Sequence, residues 1–330
     1  MYKQFYNLQR NPFDITPDPS FLFPTKKHNE ALAALYYGVK RRKGFVVLTG
    51  EVGTGKTVLV RCLLNILSRA NVAFAYVFNP LLGATEFLQY IAGDLGLPAT
   101  GKNKTELLLE LSSFAIARHR KGMTTVLVVD EAHHLSAALL EEIRLLTNLE
   151  TGEAKLLQIL LVGQPELDES LDSVDLRQLK QRIGLRSHLG SLDLEETCGY
   201  VYRRLQIAGN TNPAEIFPME TLVELHTQSR GYPRLINTLC ENALIHGYAS
   251  QTRSISPEVI DEIAADFRLN VVRPPKAERE KAADASTDVA RAARTLLDLY
   301  EHLKGGQGQG SRADLRMMVG TGARKNEPYI

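Results

Sequence analysis

Short apolar runs rich in β-branched residues recur along this chain, and each is followed by a stretch whose apolar positions return every three or four residues. The runs at 45–49, 72–78, 126–130 and 157–163 read as buried strands, with a shorter one near 186–191. Strands without polar alternation, separated by helices, predict an α/β fold: a parallel sheet covered on both faces. After about residue 192 the strand signal stops. Asp193 with Glu196 predicts the N-terminal cap of a helix running to about 208, and two more helices follow at 218–229 and 233–249. Ser256-Pro257-Glu258 has the order of an N-cap, a first-turn proline and a favourable acid, which opens a fourth. Residues 193–270 thus read as a small all-helical domain behind a core at 45–192.

The two ends differ from this middle. Residues 1–44 begin with a proline-punctuated aromatic segment (Phe5, Tyr6, Pro12, Phe13, Phe21, Phe23), too irregular for a helix and too apolar for a tail. It is expected to pack on a surface, before a helical pattern from His28 to Val39. From residue 271 the composition turns charged and alanine-rich after Arg273-Pro274-Pro275, and reads as linker and a weakly ordered appendage with an amphipathic helix at 287–303.

Composition narrows the class without deciding it. A chain of 330 residues with 44% hydrophobic content can hold two packed units. Its net charge of +1 gives no global field toward nucleic acid or anionic membrane, although a local patch could act alone. Cys62, Cys198 and Cys240 lack metal-ligand or disulfide spacing and read as small buried hydrophobes. Neither a secretory signal nor an uncharged run near the ~20 residues of a membrane helix is present, so a soluble, cytoplasmic protein is expected.

The chemistry begins at Gly50-Glu51-Val52-Gly53-Thr54-Gly55-Lys56-Thr57, followed by Val58. This is a full phosphate-loop pattern between a predicted strand and a predicted helix. Glycines let consecutive backbone N–H groups turn inward at a helix N-terminus, where a phosphate is stabilised. Lys56 is placed to reach the β- and γ-phosphates and Thr57 to join Mg²⁺. The run Val126-Leu127-Val128-Val129-Asp130-Glu131 supplies the matching carboxylates: Asp130 for the metal, Glu131 to orient and deprotonate the attacking water.

Asp130-Glu131-Ala132-His133 also spells a helicase signature, set aside because such helicases need two recombinase-like domains. His133 and His134 have no evident ligand partner and read as surface or switch residues. Gln164, at the tip of the fourth strand, is placed to touch the γ-phosphate or its water. Arg177, Lys180, Arg182 and Arg186 form a basic cluster; one of them could enter a neighbour's site as an arginine finger, Arg182 first and Arg177 next. The competing reading of that cluster is a solvated basic face touching DNA. Arg234, after Gly231-Tyr232-Pro233, could fold back onto the nucleotide and couple the helical domain to it.

With these residues in place, the chain resembles the AAA+ ATPases typified by general secretion pathway protein A. The resemblance covers roughly residues 1–268. It rests on Tyr2-Lys3-Gln4-Phe5-Tyr6-Asn7-Leu8, Asn11-Pro12-Phe13, Pro17-Asp18-Pro19, Gly163-Gln164-Pro165-Glu166-Leu167, Gln181-Arg182-Ile183 and Gly231-Tyr232-Pro233-Arg234-Leu235-Ile236-Asn237. It implies a five-stranded sheet of order 5-1-4-3-2, a helical lid, and rings or filaments with ATP between subunits. It further implies Gln164 as first sensor, Arg234 as second, and Pro12-Phe13 as a wall near adenine. Secretion proteins of this type typically continue into a membrane helix and a peptidoglycan-binding domain. This sequence carries neither, so a direct cell-wall role is not expected. Soluble relatives serve envelope and pilus loci or select transposition targets on DNA.

Two functions therefore compete. The first is a MgATP-driven motor or switch acting on secretion or envelope-assembly proteins, cytoplasmic and peripheral to the inner membrane through a partner. The second is an ATP-gated protein that binds duplex DNA through Lys40-Arg41-Arg42-Lys43 and the 177–186 arginines.

Overall fold

The computed structural model describes residues 1–78, 82–152 and 154–267, all within one compact unit, Met1–Asn270. The proposed linker, the 287–303 helix and the rest of 271–330 lie outside the described residues. In chain order the main elements are α1 (Lys26–Lys40), β1 (Phe45–Gly50), α2 (Lys56–Ser68), β2 (Ala73–Val77), α3 (Ala84–Asp94), α4 (Lys104–Arg120) and β3 (Thr125–Val129). Then come α5 (Ala137–Leu146), β4 (Leu157–Gly163), α6 (Glu166–Leu171), α7 (Arg177–Lys180) and β5 (Ile183–Leu189). The remaining helices are α8 (Leu194–Ile207), α9 (Pro213–Ile216), α10 (Met219–Ser229), α11 (Pro233–Ala249) and α12 (Pro257–Asp266).

The sheet order is β2-β3-β4-β1-β5, every pair is parallel, and this is the expected 5-1-4-3-2 arrangement. Alternate side chains of each strand enter opposite cores. Phe45, Val47, Leu127, Val129, Ile159 and Leu161 pack with α3 to α7, while Val46, Leu48, Val126, Val128, Leu160 and Val162 pack with α1 and α2. This two-sided burial explains why the central strands read as continuous apolar runs. The edge strand β5 begins earlier than its apolar signal, because one of its faces is open and carries Arg186 and His188.

Helices α8 to α12 form a third core, and the N-terminal aromatic segment belongs to it: Tyr2, Tyr6, Leu8 and Phe13 are buried with Val201, Phe217 and Ile236. The Gln9 and Arg10 amides both donate to the Ala208 carbonyl, and Asn210 donates to that of Tyr6 at 2.9 Å. The Asp193–Glu196 capping box is present as expected. Ser256 stands at the N-cap of α12 but makes no side-chain cap bond. The four-residue helix α9 went unforeseen; a single turn has no apolar period to read.

Candidate functional site

The loop between β1 and α2 is shaped by its glycines. Gly53 (φ +81°) and Gly55 (φ +95°) occupy the left-handed region. A Cβ on Gly53 would stand 2.5 Å from that of Arg234, so glycine alone lets the start of α11 rest on the loop. The Arg234 amide donates to the Gly53 carbonyl at 3.2 Å. Lys56 is buried and donates to the carbonyls of Gly50 (2.6 Å) and Glu51 (3.0 Å). Burial holds its pKa below the ordinary lysine value. His28 braces the loop from α1: its Nδ1 lies 2.8 Å from the Thr25 hydroxyl and its Nε2 3.2 Å from the Thr54 carbonyl. Desolvation lowers its pKa.

The carboxylates meet this loop at the carboxyl end of β3. Asp130, buried, accepts from the Tyr76 hydroxyl at 2.6 Å and the Thr57 hydroxyl at 3.2 Å through Oδ2, and from the Glu131 amide at 3.0 Å through Oδ1. Burial, then the Asp130 charge, raises the Tyr76 pKa, so that hydroxyl stays a donor. Glu131 has φ +53°, a conformation costly for a residue with a Cβ, and its side chain is about half exposed beside the cavity. His133 lies between Glu131 and Gln164, with Nδ1 3.5 Å from Glu131 Oε2 and Nε2 2.8 Å from the Gln164 amide nitrogen. The sequence reading, which found no carboxylate at ligand distance from the two histidines, is corrected here. The ligand atoms of Glu131, His133 and His134 gather within 4.8 Å of one another, because the left-handed Glu131 turns its side chain toward the histidines.

These residues surround a cavity of about 330 Å³. Val52 to Val58, Glu131, Gln164 and Arg234 line it. Gly50, Glu51 and Asp130 are not in its lining; the first two offer carbonyls to Lys56, and Asp130 holds Thr57. Pro12 and Phe13 require correction. Phe13 is fully buried against Phe217, ring centroids 6.1 Å apart, and neither residue lines the cavity. The apolar demand of the third core draws Phe13 inward, and the wall passes to Ile15–Pro17 and Phe21–Phe23.

The basic cluster is not a free face. Lys180 pairs with Asp172 (2.8 Å), Arg186 with Asp168 (3.1 Å) and Asp172 (3.6 Å). Arg182 donates to the Thr147 hydroxyl (2.6 Å) and the Asn148 side chain (2.8 Å), whereas Arg177 is exposed; neither lines the cavity.

Sequence reasoning missed Tyr76, Tyr200 and Arg204. The Arg204 guanidinium is buried 4.6 Å above the Phe21 ring and 5.3 Å from that of Tyr200, and it donates to the Pro12 carbonyl. The i, i+4 spacing of Tyr200 and Arg204 was the available signal.

Residues 39–171 match the family described as an AAA domain. The chain is 46% identical over 256 residues to general secretion pathway protein A of Aeromonas hydrophila, covering 77% of this chain and 46% of that protein. It thus spans about half the length of that relative. The Aeropyrum pernix ORC2 protein, in its ADPNP–ADP complexes, is similar with a TM-score of 0.60 at 18% identity, over 78% of this chain and 71% of that one. Cdc6p from Pyrobaculum aerophilum gives 0.60 at 18%, over 77% and 70%. At such identities the likeness establishes the AAA+ fold alone.

Proposed function

The chain carries an AAA domain and is a relative of general secretion pathway protein A; on that premise we propose that it binds MgATP, self-associates and hydrolyses ATP to drive or switch a partner assembly. One observation carries the reading: a glycine loop with Lys56 and Thr57, the Asp130–Glu131 carboxylates and Gln164 converge beside a single cavity. Residues 45–192 are taken as the ATPase core, 193–270 as the lid, and 1–44 as the segment flanking the nucleotide.

The fit to the phosphates is chemical. Lys56 points its ammonium at two loop carbonyls, bonds it can exchange for phosphate oxygens. Backbone amides of the loop and the N-terminus of α2 complete that cradle. The Thr57 and Asp130 oxygens, 3.2 Å apart, are the hard donors that Mg²⁺ prefers. Mg²⁺ when bound offsets the charge on the phosphate oxygens. Glu131 takes the proton of the attacking water, Gln164 orients that water, and Arg234 carries the nucleotide's state into α11. Residues 15–23 with Tyr200 enclose the base. Arg182 or Arg177 serves as the finger in a neighbouring copy, within a ring or filament. The partner is of the secretion or envelope-assembly class, reached from the cytoplasm at the periphery of the inner membrane.

Titration of MgATP into wild type and Lys56→Ala tests this directly. The wild type is expected to bind and the variant to lose binding; equal binding by both contradicts the loop assignment.

A second reading, an ATP-gated duplex-DNA binder, has one observation of its own. Lys40, Arg41 and Lys43 are exposed, lie 5.9–6.0 Å from the rings of Tyr36 or Tyr37, and make no ion pair among the described residues. Arg42 reaches His119 and the Met123 carbonyl at 3.1 Å, which brings Arg120 and Lys121 alongside, and 31–47 and 111–124 contain no acid. ATP-dependent retention of duplex DNA that weakens steeply with salt would favour this reading. Retention unaffected by ATP or salt would count against it.

A further inference from the structure

We propose that His133 is a positioning residue that fixes Gln164, backbone and side chain, beside the Glu131 carboxylate, so that the first sensor is held at the base. The inference rests on the ATPase reading above and adds a residue to it. His133 follows Glu131 by two positions in the short turn Ala132–His134, and the backbone forces their side chains together. Glu131 stands in the left-handed region (φ +53°) between β3 and that turn. Gly163 at the end of β4 then lets that turn come close: a Cβ there would stand 3.2 Å from the His133 amide nitrogen and 2.9 Å from Leu167 Cδ2. The imidazole is consequently held in place, its side chain 6% exposed and its ring centroid 4.0 Å from that of His134.

His133 holds Gln164 at two points. With the proton on Nε2, its bare Nδ1 accepts the Gln164 backbone N–H at 3.4 Å, and Nε2 directs its N–H at the Gln164 side-chain amide, 2.8 Å away, whose oxygen then faces the ring. Glu131 Oε2 lies 3.5 Å from the same Nδ1, in contact with the ring rather than hydrogen-bonded to it. Glu131 and Gln164, which come from different strand ends, thus stand against one rigid side chain. The Gln164 backbone amide, 3.4 Å from Nδ1, keeps the end of β4 against the same ring. The arrangement therefore holds the Gln164 backbone and side chain in one orientation beside the base.

The consequence is kinetic. Glu131 and Gln164 are placed to act at the γ-phosphate and its water, while the loop, Lys56 and the base pocket bind the rest of the nucleotide. Loss of His133 is expected to reduce kcat by ~10–100-fold, the scale of a misplaced group, with KM for ATP within about two-fold of wild type. His133→Asn retains a carbonyl acceptor near the Nδ1 position and is expected to recover part of the loss; His133→Ala is not.

The experiment measures steady-state ATP hydrolysis and equilibrium ATP binding for wild type, His133→Ala, His133→Asn, Gln164→Ala and the His133→Ala/Gln164→Ala pair. A shared network predicts non-additive effects: the double variant falls little further in kcat than the worse single one. Multiplicative losses, or an unchanged kcat in His133→Ala, overturn the inference. Loss of ATP binding in both His133 variants also overturns it, because the residue would then act on folding or binding. Absence of turnover in wild type would instead fail the ATPase reading, and this inference with it.

Discussion

At the scale of residues, the site separates what short motifs reveal from what only the folded chain brings together. Lys56, Thr57, Asp130 and Glu131 were legible because each belongs to a contiguous pattern whose spacing the backbone enforces. Tyr76, Arg204 and His133 were not, since their partners Asp130, Phe21 and Gln164 are distant in sequence or reached only through an unusual φ. His28 is of the same kind, and its environment has a pH consequence. Desolvation lowers its pKa from 6.5 in the folded protein, against smaller opposing effects of the Thr54 backbone hydrogen bond and then of Glu196. Between the folded value and about 6.5 the unfolded chain takes up the proton that the native state refuses. The stability contributed is therefore complete above about 6.5 and is lost as the pH falls through the folded pKa. The melting temperature should drop as acid is added below neutrality, and His28→Gln should show a shallower slope. Identical slopes in the two proteins would contradict this role for the buried imidazole.

At the scale of elements, the central strands and the long helices were legible, and the exceptions have physical causes. Strands β1, β3 and β4 are covered on both faces and so read as unbroken apolar runs, whereas half-open β5 gave only a partial signal. Helix α11 was bounded at both ends, Pro233 fixing its start. The aromatic segment was expected to pack on a surface, with Pro12 and Phe13 beside the nucleotide. Its place is the core of α8 to α12, where Phe13 is fully buried against Phe217. Phe13→Ala removes a buried ring and should cost about 3–5 kcal/mol in chemical denaturation. An unchanged unfolding midpoint would mean the segment is not integral to that core. The same substitution should leave ATP binding weakened rather than abolished, since Phe13 does not line the cavity.

At the scale of the whole molecule, the account concerns assembly. Arg177 and Arg182 stand apart from this chain's own cavity, as a finger acting on a neighbour would. Arg182→Ala should bind ATP and turn it over poorly. Mixed with Glu131→Gln subunits, whose arginines are intact, it should recover part of its hydrolysis, because its own Glu131 would then meet a complete neighbour. No recovery at any mixing ratio would count against action between subunits. The central claim, that this AAA domain relative is a working ATPase with Glu131 as its base, is tested most directly by Glu131→Gln beside wild type. ATP binding and phosphate release would be measured on the same samples. The account expects near-equal ATP affinity and turnover reduced by ~10²–10⁴-fold in the variant; turnover equal to wild type in Glu131→Gln, or no turnover in wild type, would contradict it.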